Sequence, residues 1–145
     1  MTVDTLNTLT MSRTIQAPKQ AVWDAWTKPE HMKKWSCPVP DGVEAIESDF
    51  QVGGSFRIVM QVPEGRHTAF GSYREIDAPN RVVYTWDWDE EDHSVGETLV
   101  TVTFEDRDGG TEVTIIHAGF PNVEAQQAHE QGWGGCFANF EGLFA

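Results

Sequence analysis

From Val43 onward the hydrophobic period drops from 3.6 residues to 2, and it holds there through six successive segments. These predict strands over residues 43–50, 55–62, 67–76, 81–88, 97–105 and 111–117, with a Thr-rich alternating segment, 8–15, as an earlier strand. The separators are turn chemistry: Gly53-Gly54, Pro63-Glu64-Gly65, Asp77-Ala78-Pro79-Asn80, an acidic stretch, and Asp106-Arg107-Asp108-Gly109-Gly110. Parallel neighbours need a crossover of roughly a dozen residues or more, so strands joined this tightly must be mostly antiparallel.

Alternation also assigns faces, because every second side chain points the same way. Phe56, Ile58, Met60 and Val62 share one, as do Val82, Tyr84, Trp86 and Trp88. Val100, Val102 and Phe104 form a third set, and Val113, Ile115 and His117 a fourth. The inward face of the sheet is therefore aromatic and carries few polar groups.

Helices flank this run. Ala17-Pro18 opens the first, since proline is tolerated where the leading N–H groups have no partner; Val22, Trp23 and Trp26 form its apolar face. Thr27 with Glu30 three residues later reads as a capping box for a second short helix, whose inward side carries Met32 and Trp35. Pro38, Pro40 and Gly42 end it. At the C-terminus Asn122 is a suitable N-cap, and Trp133, Phe137, Phe140 and Phe144 repeat at helical spacing. Gly132, Gly134, Gly135 and Gly142 interrupt this helix at about 1 kcal/mol each relative to Ala. Three readings remain open: close approach to the sheet, room for a ligand, or a kinked helix.

At 145 residues the chain fits one domain, 1–145, and can bury about 70% of its unfolded surface without disulfide or metal. The formal net charge of -13 opposes binding to nucleic acid, whose affinity comes from cations at phosphates, and to anionic membrane surfaces. The densest acidic cluster, Asp87, Asp89, Glu90, Glu91 and Asp92, reads as a solvated loop tip; calcium-loop spacing is absent. Cys37 and Cys136 lie far apart with no zinc pattern, no apolar run reaches ~18 residues, and no signal peptide is evident, so the expected location is cytoplasmic. Neither a metal nor a cofactor is expected.

Among residues able to do chemistry, His117 stands out for its inward register. It reads two ways: an imidazole that orients a ligand carbonyl or acts as acid/base, or a core histidine hydrogen-bonded to a neighbour. Arg57 and Glu97 are expected at the surface, His67 at a rim or the surface, and the Tyr73 and Tyr84 phenols at a wall. His129-Glu130 lacks a second His four residues on, and neither cysteine has a His and Asp partner set in view. No catalytic signature results, and enzymatic activity is left open.

The ordered set of segments resembles one bacterial family. Its carriers are Ala17-Pro18 with Val22-Trp23, Pro29-Glu30-His31 with Trp35, Gly53-Gly54-Ser55-Phe56, and Pro79-Asn80-Arg81-Val82-Val83-Tyr84-Thr85-Trp86. Thr101-Val102-Thr103-Phe104, His117-Ala118-Gly119-Phe120-Pro121 and Gly132-Trp133 complete it, over residues 8 to 145. The pattern is similar to the activator of heat-shock protein 90 ATPase homologue-like family, in the START-like (SRPBCC, birch-pollen-allergen-like) superfamily. The four helix glycines depart from it.

The resemblance implies an α+β helix-grip fold: a curved antiparallel sheet of six or seven strands around a long C-terminal helix, with two short helices after the first strand. Superfamily members bind lipids, sterols or plant metabolites, some are polyketide cyclases, and the namesake domain is a co-chaperone. A separate N-terminal domain of that co-chaperone also engages the chaperone; no counterpart is expected here. The leading expectation is a small apolar or aromatic molecule held between sheet and helix. Its expected contacts are Phe56, Met60, Tyr73, Tyr84, Trp86, Val102 and His117 from the sheet, with Trp35, Trp133 and Phe137 from the helical side. The alternatives are a cyclase- or lyase-type enzyme using His117, and a chaperone-interacting protein; the chain is expected to be a monomer or homodimer.

Overall fold

The structure, a computed structural model, describes residues 7–90 and 94–144. Its elements in chain order are β1 (Thr8–Ile15), α1 (Lys19–Thr27), α2 (Pro29–Met32), β2 (Val43–Ser48), β3 (Ser55–Val62), β4 (Gly65–Asp77), β5 (Arg81–Trp88), β6 (Thr98–Arg107), β7 (Gly110–Ala118) and α3 (Val123–Gly142). The strands form one sheet in the order β1-β7-β6-β5-β4-β3-β2, and each neighbouring pair is antiparallel. Five hairpin connections build β2 to β7, while α1 and α2 carry the chain from one sheet edge to the other. The sheet curls around α3, giving the expected helix-grip architecture.

The period-2 segments become strands, with altered ends. β2 stops at Ser48 rather than residue 50, where Asp49 N–H turns back to the Ser55 carbonyl. β6 and β7 run closer to their turn than expected because Asp108 and Gly109 both take positive φ, 49° and 81°, the geometry of a tight two-residue hairpin turn. β4 and β5 lose register between Tyr73 and Glu75, a bulge that sharpens local twist. Near it a Cβ on Gly71 would collide with the Thr85 carbonyl, so glycine permits this close approach.

Two local expectations are corrected. Thr27 does not cap α2; it ends α1, where its hydroxyl donates to the Trp23 carbonyl at 2.8 Å, and Lys28 holds the N-cap position without a side-chain bond. A threonine bonding back four residues satisfies its hydroxyl within its own helix. The acidic segment is not merely a solvated tip either. Asp87 accepts from the Trp88 and Val95 N–H groups and the Ser94 hydroxyl, folding the β5–β6 connection on itself. Glu91 and Asp92 lie outside the described residues.

Helix α3 forms without interruption. Asn122 caps it by accepting from the Ala125 N–H at 2.8 Å, and Trp133, Phe137 and Phe140 are buried beneath it. Phe140 meets the Trp26 and Trp35 rings edge-on at 5.2 and 5.3 Å, so the helix closes on α1 and on the turn after α2, where Trp35 sits. Gly135 explains part of the glycine pattern: a Cβ there would sit 2.8 Å from Cα of Pro38, in the segment after α2 rather than in the sheet. Asn139 strengthens this contact by donating to the Cys37 carbonyl.

Gly134, one residue earlier, has nothing within 4 Å of a built Cβ. Gly134→Ala should therefore raise the unfolding free energy by about 1 kcal/mol. Gly135→Ala should lower it by roughly 1–3 kcal/mol, because the backbone at Pro38 must yield. Urea melts of the two variants check this; a stabilised Gly135→Ala would contradict the close-approach account.

Candidate functional site

Between the concave face of the sheet and α3 lies a cavity of about 450 Å³. Its interior is made by α1, α2 and strands β3, β4 and β5, and its outer rim by Ser94, Val95, Pro121, Asn122 and Ala128. Ala125, His129, Gly132, Trp133 and Cys136 recur at helical spacing along the α3 wall. Gly132 leaves that wall open, since a Cβ there would meet nothing within 4 Å.

Five tryptophans form a connected set along the cavity. Trp35 lies 4.2 Å from Trp26, Trp26 stacks with Trp133 at 6.1 Å, Trp133 sits 5.5 Å from Trp86, and Trp86 is 5.6 Å from Trp88. Offset and edge contacts are preferred by aromatic quadrupoles and fix rigid walls. Three of these indoles commit their N–H groups within the protein: Trp35 to the Ala25 carbonyl, Trp88 to His129, and Trp133 to His117. Trp86 does not: its indole N–H is buried without a partner, as is the Ser36 hydroxyl.

The polar groups behind the wall form a directed chain. Trp133 Nε1–H donates to His117 Nδ1 at 3.0 Å, and Thr98 donates to the Trp86 carbonyl at 2.6 Å. His117 Nε2, 2.7 Å from Thr98 Oγ1, must therefore carry the proton and donate to that oxygen. His117 is 0% exposed. Burial, then the neighbouring His129, push its pKa down to about 2, so it is neutral. Of the two readings of His117, the hydrogen-bonded core histidine describes its place; the imidazole stands behind Trp86 and Trp133 and does not line the cavity.

The imidazole on the wall is His129. Its Nδ1–H donates to the Ala125 carbonyl at 2.8 Å, so Nε2 is the acceptor that receives the Trp88 N–H at 2.9 Å. Burial holds its pKa below the ordinary value, opposed by the Ala125 bond and by Asp87. The sequence offered a signal for it: His129 precedes Trp133 by one helical turn.

Of the expected contacts, Trp35, Phe56, Met60, Tyr73, Tyr84, Trp86 and Trp133 meet at the cavity. Val102, His117 and Phe137 do not. Val102 is packed beneath the floor with no exposure, and Phe137 lies where α3 passes Trp26 and the Arg13 guanidinium of β1. The Tyr73 hydroxyl pairs with Ser48 at 2.7 Å. His67 reaches the rim, 2.8 Å from Glu90, whereas Arg57 and Glu97 are exposed beside Asp89 and Arg74. Cys136 is on the wall, but burial first and Cys37 second push its thiol pKa up, which suits packing rather than nucleophilic attack. Among the described residues no cluster of three or more His, Cys, Asp or Glu has the arrangement to hold a metal ion, and no helix is long and apolar enough to cross a membrane.

The sequence matches the family model described as Activator of Hsp90 ATPase homolog 1-like protein over residues 16–145. Solved structures of the same fold include a Nitrosomonas europaea protein at 26% identity and TM-score 0.79, covering 97% of this chain and 96% of its own. A Rhizobium leguminosarum protein is 26% identical with TM-score 0.80, covering 94% and 92%. A Chromobacterium violaceum protein at 24% identity and TM-score 0.80 covers 95% and 97%, which speaks to fold alone. No curated protein matches the sequence significantly.

The neutral His117 makes stability depend on acid. The unfolded chain takes up a proton near pH 6.5, while folded His117 does so only at about 2, so acidification favours unfolding. Its contribution is complete above pH 6.5 and falls as pH drops through that value. Urea melts from pH 6.5 to about 5, above most carboxylate titration, should lose stability with a slope that approaches roughly 1.4 kcal/mol per pH unit for such an imidazole, His129 adding in the same direction. Stability that stays level or rises across this window would contradict a neutral, buried His117.

Proposed function

The chain belongs to the Activator of Hsp90 ATPase homolog 1-like family, and within that family we propose that it is a binding protein that encloses a small apolar or aromatic molecule between sheet and α3. The observation that carries this is the cavity. Its volume of about 450 Å³ falls within the ~300–1,000 Å³ common for small-molecule sites. Five indoles supply flat apolar surface, and none of the described lining residues is Asp, Glu, Lys or Arg. An aromatic guest stacking on those rings gains both burial and favourable ring geometry.

An acid/base role for His117 finds no support in its surroundings, since both ring nitrogens are engaged and the ring is off the cavity. The family description speaks of chaperone activation, while the residues of this chain build a pocket. The two free, buried thiols suit a reducing compartment, and the proposed setting is the cytoplasm.

Titration with the neutral fluorophore N-phenyl-1-naphthylamine should quench tryptophan emission and brighten the probe. Gly132→Leu projects a side chain into the cavity from an unstrained helical position. It should weaken probe binding by at least about tenfold, roughly 1.4 kcal/mol, while circular dichroism and melting temperature hold or improve. No binding by the wild type, or unaltered binding by a folded Gly132→Leu, would remove the proposal.

A further inference from the structure

Both walls of the cavity grade from buried to exposed. On β5, Tyr84 and Trp86 are buried, Trp88 is half-buried and Asp89 is exposed. On α3 the order runs the other way along the chain: Asn122 is exposed, Ala125 and His129 are half-buried, and Trp133 is buried. Trp88 and His129 therefore stand at one level, between the buried interior and the outer rim at Ser94, Val95, Pro121 and Asn122. They are joined there. The Trp88 indole N–H donates to His129 Nε2 at 2.9 Å, a bar from sheet to helix across the way in. The bond from Trp133 to His117 ties the same two layers at the buried end.

Resting on the binding reading above, we propose that the Trp88–His129 pair is a latch on the cavity mouth, closed while His129 is neutral and released when it gains a proton, so that acid speeds ligand exchange. The latch has one acceptor. His129 Nδ1–H is already donated to the Ala125 carbonyl at 2.8 Å, so Nε2 alone can receive the indole. A proton on Nε2 would set one N–H against another, and an indole nitrogen has no acceptor to offer in return. Trp88 is half-exposed and ends its strand, so it can swing outward once released. Burial holds His129 below the ordinary imidazole value, against the Ala125 bond and Asp87, so the latch is closed at neutral pH and opens below pH 6.5. Among the described residues, the titratable groups facing His129 are Asp87 of β5, which favours the protonated ring, and His117 of β7, 5.4 Å away and neutral. Phe120 lies 4.7 Å away and brings no charge, and Glu130 of α3 is exposed. Beside Trp88, His67 of β4 pairs with Glu90.

Stopped-flow dissociation of N-phenyl-1-naphthylamine from about pH 7.5 to about 5.5 tests the latch, with circular dichroism confirming the fold at each pH. The wild-type rate should rise roughly three- to tenfold on acidification, the size of one neutral hydrogen bond. His129→Gln keeps an acceptor near the position of Nε2 but cannot gain a proton there, so it should release the probe slowly throughout. His129→Phe keeps a ring without an acceptor and should release it fast throughout. His117 is present in all three proteins, so an acid response that persists in His129→Gln would overturn the latch. A wild-type rate that stays level across the window, or slow release by His129→Phe, would do the same and leave the cavity reading standing. A second readout needs neither variant nor probe. In ¹⁵N-labelled wild type the Trp88 indole N–H resonance should move upfield as the pH falls below 6.5, and a resonance that stays in place would overturn the latch. Failure of the wild type to bind the probe at any pH would overturn the binding reading and the latch together.

Discussion

The bond from the Trp133 indole to His117 is the constraint on which the site depends, because it ties α3 to β7 through a buried polar contact. It continues through Thr98 on β6 to the backbone of Trp86 on β5, so one hydrogen-bonded line crosses three strands and the helix. Every donor in the line meets an acceptor only if His117 is neutral with its proton on Nε2. Protonating it, or truncating one member, leaves a buried group unpaired at about 1–3 kcal/mol. The line therefore fixes the spacing between α3 and the sheet, and with it the width of the cavity that Trp86 and Trp133 bound.

Why the space stays open follows from the wall. Branched aliphatic side chains can rotate to fill a gap, whereas an indole turns as a rigid plate. The Trp26, Trp35, Trp86, Trp88 and Trp133 plates are braced by one another, and three are also pinned by their N–H groups. Gly132 adds no side chain where the helix faces the space, while Gly135 brings the next turn of the helix against Pro38. The glycines that weaken α3 as an isolated helix thus have separate uses: contact at one, clearance at the other.

The sheet was legible because strand alternation is strict: Phe56, Tyr84, Trp86 and Val113 all turn inward as their register requires. The helix stripe was legible for the same reason. Depth was not. Periodicity places His117 on the inward face but cannot say that Trp86 and Trp133 stand in front of it. Phe137 shares a stripe with Trp133, yet one further turn of α3 carries it toward Arg13 and away from the cavity. Thr27 misled because a Thr-x-x-Glu spacing fits both a capping box and a helix end whose hydroxyl bonds backward. The unpaired N–H of Trp86 is a property of three-dimensional partnering, invisible to any spacing rule.

An aromatic cavity held open by its own walls is the central claim. Pressurising crystals of the protein with xenon tests it directly, since xenon enters apolar cavities that exclude water. Xenon density bounded by Trp86, Trp133 and Gly132 is the predicted result. Indole rings collapsed across that space, with no xenon bound, would contradict the account.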